Sequence, residues 1–141
     1  MEKREIFRMT ALPLSELMRD NSYMVTTLDT ARIDQLAIAF MVDRVGVDHD
    51  TMAALLDIDL EQLVDILENR GETPRSARSG VDAFVAIQSL LLSGYTPDGA
   101  VEWMNTASPN LDGASPRSVL MRDEGRSVAT VLRAAYDRMS S

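Results

Sequence analysis

Few residues in this chain are of a type that could do chemistry. His49 is the single histidine and lies in Val47-Asp48-His49-Asp50, between two carboxylates at a helix entrance. A histidine beside a carboxylate is the pairing that a general base and its orienting group require. No matched nucleophile accompanies it, and neither Ser79-Gly80 nor Ser93-Gly94 has the strand-turn-helix context of a nucleophile elbow. Asp48, His49 and Asp50 are adjacent, and adjacent side chains rarely converge on one metal ion. The chain has no cysteine, so disulfides, thiolate zinc sites and cysteine nucleophiles are excluded. No Gly-rich anion loop stands in the sequence. The expectation is a chain with no catalytic residues, no cofactor and no metal, with His49 on a surface loop.

The elements that must position any site are helical from end to end. Leu12 to Met18 reads as a short helix with Pro13 in its first turn, and Met24 to Leu28 as an extended connector. Asp29 or Thr30 caps the next helix, in which Ile33, Leu36, Ala37, Phe40 and Met41 are spaced as one buried face, closed by Gly46. Asp50 or Thr51 opens a short helix through Leu56. The turn Asp57-Ile58-Asp59 leads to a second with a Leu60, Leu63, Val64, Leu67 stripe, closed by Gly71. Val81 to Ser93 is apolar on more than one face and is expected to sit centrally. Thr96-Pro97 and Ser115-Pro116 each read as a cap followed by proline at the first helical position. Asp123 caps a last helix striped by Val128, Val131, Leu132, Ala135 and Met139.

The fold class is therefore all-α, a multi-helix unit in three stretches. Residues 1–28 form an N-terminal extension, 29–75 a helix-turn-helix-like region, and 80–141 a small helical C-terminal region. The start, MEKREIFRMT, lacks an apolar signal core, and no apolar run approaches the roughly 18 residues of a membrane span. A cytoplasmic chain without a membrane partner is expected.

Charge separates the two helical regions. The chain carries 22 acids against 14 bases, a formal net charge of −8. Nine of the acids and only two of the bases, Arg44 and Arg70, fall in residues 43–72. That segment also has the outline of a helix-turn-helix, with Ala53 and Leu56 facing inward, Ile58 in the turn, and Leu63 with Ile66 or Leu67 anchoring the second helix. Such a second helix would read bases in the major groove. Gln62, Asn69 and Arg70 are its candidate DNA contacts. Glu61, Asp65 and Glu68 would face phosphate and repel it, and Asp57 stands where a glycine usually makes the turn. DNA binding is disfavoured on charge.

The more specific signature is Trp103-Met104-Asn105-Thr106-Ala107-Ser108-Pro109-Asn110-Leu111-Asp112-Gly113-Ala114-Ser115-Pro116-Arg117-Ser118-Val119-Leu120, continuing to Gly125. Trp103 is the only tryptophan and reads as a core anchor or an interface hot spot. Gly113 supplies a turn conformation that a Cβ would resist. This order of Trp103, Pro109, Asn110, Leu111, Gly113, Pro116, Leu120 and Gly125 resembles the toxin-binding domain of the MbcA/ParS/Xre antitoxin family. The likeness covers residues 80–139 and extends more weakly to the Xre-like helix-turn-helix at 52–71. The resemblance implies a protein partner, a RES-type toxin that consumes NAD, whose active site the antitoxin covers with its C-terminal region. Arg133, Tyr136 and Arg138 are the toxin contacts it suggests. Two other readings stay open: a helix-turn-helix transcriptional regulator of phage or mobile-element type, and a free-standing adaptor that keeps the fold for another partner. The apolar helix at 81–92 and nine methionines would also permit a homodimer.

Overall fold

The computed structural model describes residues 30–122 and 127–140. The readings at Leu12–Met18, Met24–Leu28, Asp29, Asp123 and Gly125 lie outside them. Among the described residues every regular element is helical and there is no strand, so the protein is all-α. Helix α1 covers residues 30–39 and passes into π turns over Phe40–Val45. Then follow α2 (His49–Leu56), α3 (Leu60–Leu67), α4 (Arg78–Gly94), α5 (Pro97–Met104), α6 (Pro116–Met121) and α7 (Ser127–Ser140). The chain divides after Thr30, and Ala31–Ser141 is one unit. Within it, residues of all seven helices share one hydrophobic cluster.

The helix boundaries follow local chemistry. Gly46, at φ +97°, closes the π turns and donates its N–H to the Met41 carbonyl. Thr96 accepts from the Gly99 N–H and Ser115 from the Ser118 N–H, each followed by proline at the first helical position. Asp59 makes a full capping box with Gln62: its carboxylate accepts the Gln62 N–H at 2.7 Å, and the Gln62 side-chain oxygen accepts the Asp59 N–H at 3.1 Å. Helix α2 is preceded by Asp48, not by Asp50 or Thr51, and no side chain caps it. Asp57 ends α2 at φ +58°, the left-handed conformation that glycine enters freely. Helix α3 ends at Leu67, four residues before Gly71.

The buried face of α1 is not the one its spacing suggests. Ala37, Phe40 and Met41 are buried as expected, but Ile33 and Leu36 are 47% and 49% exposed. Asp34 and Ile38 take the inward positions instead. A carboxylate can sit there because Arg78, at the start of α4, grips it with two 2.8 Å hydrogen bonds, and the Thr73 hydroxyl donates a third at 2.8 Å. The same guanidinium reaches Asp82 one turn along α4. The hydrogen bond to Asp34 leads in raising the Arg78 pKa further above its ordinary value, against the opposing effect of burial.

Helix α4 sits centrally as expected, packed against α2, α5 and α7, but it is not buried all round. Val81, Phe84, Ile87 and Leu91 point into the core, while the opposite side is open, with Ser89 and Ser93 exposed and Leu92 41% exposed. Its main neighbour is α7, which buries Val131, Ala134 and Ala135. Gly94 lies against Met139, and a Cβ there would come within 2.8 Å of the Met139 sulfur. The C-terminal ends of α4 and α7 therefore meet at close range. In α3, Leu63 and Ile66 are buried, Val64 and Leu67 half-buried, and Leu60 is 46% exposed.

Candidate functional site

An open groove of about 810 Å³ runs along the outer faces of α4 and α7. Ala86, Ser89, Leu90 and Ser93 line it from α4; Ala129, Leu132, Arg133, Tyr136 and Asp137 line it from α7. The α7 residues recur at the three- and four-residue spacing of one helix face. That face is opposite to the one carrying Val131, Ala134 and Ala135 into the core. The small side chains leave the hollow, and Leu90, Leu132 and the 56% exposed Tyr136 make it apolar. Its charged residues are Arg133 and Asp137, one turn apart and 3.4 Å from each other. A smaller hollow of about 320 Å³, lined by Asn110, Ala129, Thr130 and Ala134, borders the same Arg133 and Asp137.

Two of the three suggested toxin contacts, Arg133 and Tyr136, thus share this groove. Arg138 does not. It lies over the Tyr95 ring, 5.8 Å from its centroid, in a separate cleft of about 530 Å³. Trp103, Pro109 and Asn110 line that cleft with it. Trp103 is half-buried, packs against the core and also lines the cleft, so it serves as an anchor of the fold and as cleft surface at once. The rest of the signature builds the scaffold beneath. Leu111, Pro116 and Leu120 are buried. Gly113 adopts φ +84° and donates its N–H to the Ser108 carbonyl at 3.0 Å, and Ser108 donates to the Ala114 carbonyl at 3.0 Å. Those two bonds close the loop between α5 and α6.

Two of the three candidate DNA contacts, Gln62 and Arg70, are engaged within the molecule. Gln62 is held in the capping box. Arg70 pairs with Asp65 at 3.0 Å and with Glu68 at 2.9 Å. Asn69 stands in the left-handed region at φ +57°. His49 is exposed at the first position of α2. Among the described residues, no three His, Asp or Glu side chains are grouped as a metal would need. None of the described helices is long and apolar enough to cross a membrane.

Sequence reasoning did not name Leu90, Ser89, Ser93 or Ala129 as groove residues. The signal was present: apolar residues on more than one face of 81–92 fit an uncovered second face as well as central burial. Tyr95 carried no signal beyond its place after a helix-ending glycine. No family model, curated protein or solved structure matches this chain.

Proposed function

We propose that this chain is an antitoxin-like, non-enzymatic protein that binds a RES-type, NAD-consuming toxin and neutralises it by covering its active site. The groove of α4 and α7 is the docking surface in this reading. One observation carries it: the helix that the family resemblance assigns to toxin contact has a solvent-facing apolar side, with Tyr136 more than half exposed beside Leu132 and Leu90. A large aromatic residue rimmed by one acid and one base is the composition of an interface centre. Reading of DNA by α3 has less support, because Gln62 and Arg70 already have partners in the chain.

The test is co-expression with a RES-domain toxin encoded beside this gene, reading cellular NAD and growth. Rescue of both, and co-purification of the two chains, is the expected result. Tyr136→Ala should weaken capture by at least about tenfold and leave the melting temperature within a degree or two, since the ring is mostly solvated. A neighbouring toxin that is neither retained nor neutralised would overturn the proposal.

A further inference from the structure

Gly99 is not explained by its own helix. It is the third residue of α5, where its N–H donates to the Thr96 hydroxyl, and any residue but proline supplies that N–H. A glycine inside a helix is less stable than an alanine there. Packing accounts for it. A Cβ on Gly99 would stand 3.3 Å from the Tyr95 Cβ and 3.5 Å from its ring Cδ1. The bare backbone lets Tyr95 lie against α5. Trp103 follows one turn later on the same helix, about 6 Å along its axis. Two aromatic side chains with a glycine hollow beside them therefore line the cleft of about 530 Å³. Pro109 and Asn110, both exposed, add a ring and an amide donor from the loop after α5.

Rings around a bare hollow, with an amide donor at the rim, suit a polyproline II chain. Such a chain has no internal hydrogen bonds, so it offers proline rings to the hollow and open carbonyls to a donor. It is already extended before it binds, and aromatic-lined grooves exploit that low entropic cost. Charge selects among such chains. Glu102 is the exposed acid of the lining, whereas Arg138 lies over the Tyr95 ring, 5.8 Å from its centroid. The net charge of −8 also draws a basic segment towards this chain. We propose that the cleft binds a proline-rich segment of a partner protein in the polyproline II conformation, with a basic residue of that segment beside Glu102. The cleft shares no lining residue with the α4–α7 groove, and the inference stands without the toxin reading.

Trp103 is the only tryptophan, so its fluorescence in the full chain reports on the cleft directly. The probe is a blocked PxxP heptapeptide that carries one arginine and no aromatic residue. A saturable change in Trp103 emission is expected. Replacing the prolines of the peptide by alanine should abolish it. Glu102→Lys should weaken the arginine peptide by about fivefold and favour the same peptide with glutamate in place of arginine. Gly99→Ala fills the hollow and should weaken both peptides, with circular dichroism checking that the helices remain. Tyr136→Ala, which changes the other groove, should leave the titration as it is. No saturable change with the proline peptide, an equal response to the alanine peptide, or an unaltered charge preference in Glu102→Lys would each overturn the proposal. A response to adenosine monophosphate but to neither peptide would also overturn it and make the cleft a small-molecule site.

Discussion

Helices α3 and α7 are both amphipathic and on the surface, yet they treat their outward side chains in opposite ways. On α3 the polar groups satisfy one another: Gln62 caps with Asp59, and Arg70 is shared by Asp65 and Glu68. On α7 the outward row is Ala129, Leu132 and Tyr136, with one exposed ion pair beside them. A helix whose donors are engaged locally has little to offer to bases or phosphates. A helix that leaves an aromatic ring facing water, beside a half-buried leucine, retains association free energy that a partner could release. Motif outline alone favours α3 as the functional helix; the state of the side chains favours α7.

That contrast predicts that disrupting the paired polar groups changes stability, while disrupting the α4–α7 face changes binding. The largest stability effect belongs to Arg78→Ala. Asp34 is only 3% exposed and would keep the Thr73 hydroxyl as a lone partner. Leaving a buried carboxylate so poorly compensated costs about 2–4 kcal/mol, at the lower side because Arg78 itself is partly solvated. Urea unfolding measures it. The folded-state pKa of Arg78 is raised, so its contribution is complete below the unfolded value and fades only as pH rises through the folded one. Both lie far above neutrality, and the loss attributable to charging of Arg78 should be equal at mildly acid and mildly alkaline pH. A loss below about 0.5 kcal/mol would mean that the clamp is no more than a surface pair.

Asp59→Ala should come next, at about 1 kcal/mol, because it leaves the Gln62 N–H without its cap. Thermal unfolding would show it as a shift of a few degrees, with capture by the α4–α7 face unchanged. A change in capture without a change in stability would break the division between the two regions.

How much of this was legible depended on the range of the interaction. Caps act within three residues, so Thr96-Pro97 and Ser115-Pro116 were readable, and Gly113 declared its turn. Asp59 was equally local and still went unread, although the spacing of Asp59 and Gln62 is that of a capping box. The face of α1 was misread because two stripes satisfy the helical period. The buried one includes Asp34, whose partner Arg78 lies 44 residues away. No local pattern announces that a carboxylate will be neutralised at that distance. Helix α4 is central as its pattern suggests, and only its open second face was hidden, for another reason. An apolar second face fits burial within the chain and burial by a partner equally well, and packing decides between them. The groove followed from that choice, so its α4 half was invisible even though Arg133 and Tyr136 on α7 were singled out.

The smallest effect discriminates most sharply between the two helices. Arg70 lies on the surface, 59% exposed, between Asp65 and Glu68. Exposed pairs of this kind contribute about 0–1 kcal/mol, so Arg70→Ala should leave the unfolding midpoint almost unmoved. Its effect on DNA is the informative measurement. If α3 lay in a major groove, Arg70 would neutralise a phosphate, and its loss would weaken binding at every sequence and reduce the salt slope by about one. If α3 only closes on itself, any residual DNA association should keep the same slope, because the guanidinium is already compensated by two carboxylates. A lowered slope in a salt titration of a fluorescent duplex would reverse the roles assigned to α3 and α7. An unchanged slope leaves α3 as a helix whose charges serve its own geometry.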